Sequence, residues 1–202
     1  MGLRRLRALT PADLAGLEKC PDCGVHGCLD PDARWARAAM DRWGLVGVSD
    51  APGAFALVCP LDALPADHPL AGASDTPSTA VLLALRVASE LRRHGAGRHL
   101  VQSLSARMVN QVERIDAAGG RAGENCLTPD AEWLMRKGFQ PCERVDWLPG
   151  GAQRLRLDLR RTVSWQPQLD EVVNRLVRWA PASETGPAVP RATCPSRRRP
   201  GA

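Results

Sequence analysis

The segment Val81–Met108 constrains the fold more than any other. Ala80–Val87 reads AVLLALRV, a nearly continuous apolar run of strand length. Such a run suggests a strand buried on both faces. Glu90–Ala96 is polar, and Arg92-Arg93-His94-Gly95-Ala96-Gly97-Arg98 leads directly into a helical pattern. Leu100, Leu104 and Met108 are spaced by four there, with Val101, Val109 and Val112 beside them. A helix that starts at such a turn directs its unpaired amides and positive dipole end into it. Glycine lets the backbone turn tightly and come close to a ligand, and Arg92, Arg93 and Arg98 add charge. The segment is therefore a candidate pyrophosphate cradle. A plain strand-to-helix turn also uses glycine, so spacing alone leaves both readings open. No Gly-Lys-Ser/Thr follows, and the third glycine of the dinucleotide fingerprint is missing.

The rest of the chain supplies further elements. Leu3–Leu9 is a short strand candidate. Thr10-Pro11-Ala12-Asp13 is a helix start, with Thr10 as cap and Pro11 at the first position. Asp32–Trp43 is a second helix with Trp35, Ala39 and Trp43 on one stripe. Gly53–Pro60 looks like a strand, and Pro65–Thr79 an irregular loop. Glu113–Gly119 is another strand candidate. Pro129–Lys137 is a short helix started by Pro129 and stopped by Gly138. Phe139–Val145 and Arg154–Leu159 follow as strands; in the second, leucines alternate with Arg154, Arg156, Asp158 and Arg160, a half-buried pattern. Pro167–Trp179 has the spacing of an amphipathic helix. The expected organisation is one domain over 1–180 and a disordered basic tail over 181–202.

Composition narrows the function class. Apolar residues make up 44% and charged residues 24% of the 202, which excludes wholesale disorder. No apolar run approaches the roughly 20 residues of a membrane helix, and no secretory signal is evident. The net charge is +5, of which the tail carries much through Arg191, Arg197, Arg198 and Arg199. The remaining body is too weakly basic for a dedicated nucleic-acid binder. Seven cysteines, an odd number, argue against a disulfide framework and for a reducing cytoplasm.

Arg92-x-x-Gly95-x-Gly97, set between an apolar strand and a helix, resembles the acetyl-CoA loop of the Gcn5-related N-acetyltransferase superfamily, Gln/Arg-x-x-Gly-x-Gly/Ala. The stretch Cys126–Arg178 is similar to one actinobacterial subgroup of that superfamily. The matching features are Cys126, Pro129–Leu134, Gly138-Phe139, Arg154–Arg160 and Ser164-Trp165. The resemblance covers Val81–Arg178 well and Leu3–Pro60 loosely. It implies an α/β (α+β) fold with a mixed, mostly antiparallel central sheet flanked by helices. Two of its strands would splay apart to admit the pantetheine arm of acetyl-CoA. Backbone groups near Leu85 and Val87 would pair with that arm, and Arg92, Arg93, His94, Gly95, Ala96, Gly97 and Arg98 would hold the pyrophosphate. The implied reaction is acetyl transfer to the amine of a small molecule or peptide, with acetyl-CoA as co-substrate; a homodimer is compatible with it.

The chemistry is less legible. Transfer needs a deprotonated amine and a proton for the leaving thiolate. Many relatives use a tyrosine for the second task, and this chain has none. Asn125, Cys126 and Thr128 are speculative substitutes. Asp116 and Glu124 are base candidates by position, although a salt-bridged surface carboxylate is the plainer reading of each. His94 and His99 read as phosphate contacts or surface residues. No catalytic residue is assigned. The missing acid also keeps open a non-catalytic acyl-CoA-binding or regulatory module on the same fold. Cys20, Cys23, His26 and Cys28 have the shape of a zinc knuckle, but no distant second knuckle exists and no metal is expected there.

Overall fold

The centre of the sheet follows from alternation. β3 (Ala54–Pro60) and β4 (Thr79–Val87) run antiparallel, in register from Ala54↔Val87 to Pro60↔Ala80. Every residue of β3 is buried, because both faces of the sheet are covered there. Phe55, Leu57 and Cys59 join one core with Leu14, Trp35 and Leu83. Ala54, Ala56 and Val58 join the other with Leu100, Leu104 and Met108. Opposite faces for successive side chains produce this division.

The computed structural model describes residues 6–19, 29–30, 32–73, 78–121, 126–142 and 151–160. The chain divides into two units, Met1–Ser164 and Trp165–Ala202, and all described residues belong to the first. Around β3 and β4 stand β1 (Arg7–Leu9), β2 (Gly47–Ala51), β5 (Arg114–Gly119), β6 (Gln140–Pro141) and β7 (Gln153–Asp158). They form a seven-stranded sheet in the order β1-β2-β3-β4-β5-β7-β6. Among the described strands, β4 and β5 are the one parallel pair. Helix α1 (Arg34–Trp43) covers the first core. Helices α2 (Ala96–Met108) and α3 (Ala131–Met135) cover the second. Leu100, Leu104 and Met108 are buried on α2, and full burial stabilises each by roughly 1.5–3 kcal/mol.

Several elements depart from the sequence expectation. β2 was not foreseen, because Gly47-Val-Ser-Asp-Ala51 has little β propensity; pairing with β1 on one side and β3 on the other makes it a strand. The turn after Thr10 is a 3₁₀ helix, Pro11–Gly16. Asp13 accepts from the Thr10 backbone N–H at 2.8 Å and from its hydroxyl at 2.7 Å. Asp130 does not sit inside α3; it precedes that helix and caps it by accepting from the Trp133 N–H. The expected strand Phe139–Val145 contributes β6 alone, and 143–150 lie outside the described residues. So do the expected helix Pro167–Trp179, the tail 181–202 and Cys20–Cys28.

Candidate functional site

The site begins where β4 and β5 part. Their parallel register runs from Thr79↔Arg114 to Leu82↔Ala117. Beyond it β4 continues to Val87 along β3, while β5 continues to Gly119 along β7. At the same place β4 slips against β3: Leu57 pairs with Ala84 and Val58 with Leu82, which leaves Leu83 as an extra residue. A bulge of this kind bends its strand. Burial changes along β4 accordingly, complete over Thr79–Ala84 and partial over Leu85–Val87.

Leu85 and Val87 share one parity, and backbone groups of both point away from β3. The Leu85 N–H donates to the Cys126 carbonyl at 2.8 Å. The Val87 carbonyl accepts from Arg92 Nε at 3.1 Å. The chain after β5 therefore reaches across the splay at Leu85. Its ends are held together, because the Gly120 N–H donates to the Pro129 carbonyl and the Ala131 N–H to the Gly120 carbonyl.

The glycine loop follows β4 and leads into α2. Ser89–Leu91 forms one 3₁₀ turn, Arg93 has φ 64° and Gly95 has φ 81°. Gly95 is the residue before α2, and this left-handed conformation explains glycine there. The first bond inside α2 runs from the His99 N–H to the Gly95 carbonyl, at 3.0 Å. The amides of Ala96, Gly97 and Arg98 thus precede the helical ladder, at the positive end of a thirteen-residue helix. The side chains of Arg92, Arg93, His94, Arg98 and His99 are exposed around them. His94 Nδ1–H donates to the Arg92 carbonyl at 2.8 Å, so this ring braces the loop. The donor set suits a phosphate.

Gly97 has a different reason from the one its position in the motif suggests. A Cβ there would lie 2.9 Å from Trp133 Cζ2 and 3.6 Å from Val87 Cγ2. Glycine admits the indole of α3 against the first turn of α2. Trp133 is half-buried, with Lys137 Nζ 5.4 Å from its ring centre. Sequence reasoning missed Trp133, since the contact with Gly97 joins residues far apart in the chain.

Asp116 is not a surface carboxylate. It is fully buried on β5, between two arginines of β7. Arg154 Nε donates to Oδ2 at 2.9 Å and Arg156 Nε to Oδ1 at 2.7 Å. Arg156 Nη2 donates to Oδ2 at 3.0 Å, and that carboxylate holds the Arg156 guanidinium above its ordinary pKa. Both oxygens are occupied, so Asp116 is a structural clamp and does not serve as a base. The arginines of β7 read from sequence as a solvent face are its partners. Cys126 and Thr128 are buried beside the splay; Glu124 and Asn125 lie outside the described residues. Among the described residues no cluster of three metal-ligating side chains occurs, and no helix is long and apolar enough to cross a membrane.

No family model matches the chain, and no curated protein matches it in sequence. Solved structures do. An aminoglycoside acetyltransferase, AAC(6′)-Ib in complex with coenzyme A, aligns with TM-score 0.51 and 18% identity, over 76% of this chain and 93% of that one. GphF, a GNAT-like decarboxylase in complex with isobutyryl-CoA, aligns with TM-score 0.52 and 16% identity, over 77% and 99%. A chain of the NatC complex bound to Gag peptide and CoA aligns with TM-score 0.51 and 14% identity, over 76% and 97%. With its mostly antiparallel seven-stranded sheet, its flanking helices and its splayed β4–β5 pair, this chain has the fold of the Gcn5-related N-acetyltransferases.

Proposed function

We propose that the protein is an acetyl-CoA-dependent N-acetyltransferase that acts on the amine of a small molecule or peptide. One observation carries the reading: β4 runs on past its parallel pairing with β5, and the chain after it turns at Gly95 into α2, with the Ala96–Arg98 amides ahead of the helical ladder. A pantetheine arm needs paired backbone along its length, and a pyrophosphate needs amides and positive charge at its end. Val87 supports the first requirement, and Arg93, Gly95, Ala96, Gly97 and Arg98 support the second. Arg92 and His94 act differently, since each ties the loop to itself through a backbone carbonyl. In the reaction a C–N bond forms as the thioester C–S bond breaks. The amine gives up its proton, and the leaving thiolate takes one. Asp116 is engaged and tyrosine is absent, so neither serves these proton transfers in this chain.

The fold alone does not choose the reaction, since a decarboxylase shares it. Amine transfer rests on the loop motif, and on the neighbours named for an aminoglycoside acetyltransferase and a peptide-bound complex. The nearer likeness of Cys126–Arg178 to an actinobacterial subgroup, a cytoplasmic location and a homodimer belong to the same reading.

A second reading is a non-catalytic acyl-CoA-binding module, and the Leu85 amide favours it. That amide already donates to Cys126, so a thioester or pantetheine acceptor must displace the Cys126 carbonyl to reach it. Thiol release from acetyl-CoA with a panel of primary amines separates the two. Amine-dependent release supports the transferase. Tight acetyl-CoA binding with no release above the amine-free rate supports the module.

A further inference from the structure

The separation of β4 and β5 is crossed by the chain itself. Their last parallel pair is Leu82↔Ala117. Leu85 and Gly120 lie equally far beyond that pair, so a continued ladder would set them opposite one another. The Leu85 N–H donates instead to the Cys126 carbonyl at 2.8 Å, and the Gly120 N–H to the Pro129 carbonyl at 2.9 Å. Gly120 also forms an isolated parallel bridge with Asp130. The segment Cys126–Pro129 is therefore bonded at one end to β4 and at the other to the end of β5. Each of its residues is buried. Cys126 and Leu127 anchor it in the core that also holds Leu83, Ala84 and Ala118.

This crossing stands at Leu85, where the arm of an acyl-CoA is expected to pair with β4. One backbone N–H supplies one donor, so the Cys126 carbonyl and a ligand carbonyl compete for it. The Ala96–Arg98 amides belong to the first turn of α2 and take no part in the contact.

We propose that the Cys126–Leu85 contact is autoinhibitory: Cys126–Pro129 closes the separation of β4 and β5, and the arm of an acyl-CoA enters only by displacing the Cys126 carbonyl from the Leu85 N–H. The proposal rests on the acyl-CoA reading above. Its consequence is a lowered apparent affinity, because the chain accepts the arm only in the fraction that has released the contact. A ligand that carries the pyrophosphate without the arm escapes that cost.

Amide and carbonyl NMR on the full chain tests this, with acetyl-CoA and with ADP each added to saturation. Acetyl-CoA should shift the Cys126 carbonyl carbon and the turn amides together. ADP should shift the turn amides alone. Calorimetry on Leu127→Ala is the second arm. The truncation removes part of the anchor in the core, so acetyl-CoA affinity should rise by roughly fivefold, the worth of the one hydrogen bond that opposes it. ADP affinity should stay unchanged, whereas mere damage to the fold would weaken binding. A Cys126 carbonyl that stays still under acetyl-CoA, while the turn amides move, overturns the proposal and leaves the acyl-CoA reading standing. So does a carbonyl that shifts equally with ADP, or a folded Leu127→Ala chain that binds acetyl-CoA no more tightly than the parent. If Leu127→Ala does not fold, the carbonyl shift in the parent decides alone. Turn amides unmoved by acetyl-CoA remove the acyl-CoA reading itself, and the proposal with it.

Discussion

Burial holds the His68 ring below the ordinary histidine range, at about 4, against the opposing pull of Asp67 and the Leu83 carbonyl. In the unfolded chain the ring titrates near 6.5. Between those values the unfolded chain binds a proton that the folded chain refuses. Stability is therefore full above about 6.5 and declines as pH falls toward about 4. The decline attributable to this ring is about 3 kcal/mol at its largest. His68→Phe should remove it, so urea unfolding at the two ends of that window should differ less in the variant. An unchanged difference would show that the folded ring protonates freely. Gly97 gives a second prediction at this scale. Gly97→Ala brings a methyl into the Trp133 ring and should cost about 1–3 kcal/mol. In a double-mutant cycle with Trp133→Leu the two costs should fall short of additive. Strict additivity would mean that the indole does not limit this position.

Strands and helices depend on contacts of the same kind. The Asp116 clamp ties β5 to β7 through two arginines. Asp116→Ala would remove the carboxylate that both half-buried guanidiniums share, at a cost of about 3–5 kcal/mol. Thermal melts should therefore show one of the larger losses for any single change in the sheet; a change below about 1 kcal/mol would mean that water replaces the carboxylate. The clamp also shows where sequence reading stops. Leu155 and Leu157 alternate with arginines, and that period identifies β7 as a strand with one buried face. The partner of the arginines depends on the Asp116↔Arg156 register, a tertiary fact. β4 and α2 were legible because their apolar periods are long and a glycine turn, Gly95–Gly97, stands between the strand and the body of the helix. β2 was not, since Gly47 and Asp50 disguise a strand whose partners make it one. Asp130 was read one step too far into α3, for a carboxylate at a helix start suits either the cap or the first turn. His68 had no signal at all; a lone histidine in a Pro- and Asp-rich loop looks exposed until β4 covers it.

The whole molecule joins a parallel pair that separates, a glycine turn at its open end and a helix that begins there. The loop motif could be read in the sequence, and the fold sets it after a strand that outruns its parallel partner. The Cys126 carbonyl already takes the Leu85 amide, whereas the glycine turn has amides outside any helical ladder. Ligand binding should therefore be felt first and most strongly at the glycine turn. Amide-resolved NMR with acetyl-CoA added to saturation measures this directly. The account predicts that the largest shifts fall on Gly95, Ala96, Gly97 and Arg98, with a second group at Leu85 and Val87. Unmoved amides at the turn, or shifts centred elsewhere on the sheet, would contradict the claim that this splay and its loop form an acyl-CoA site.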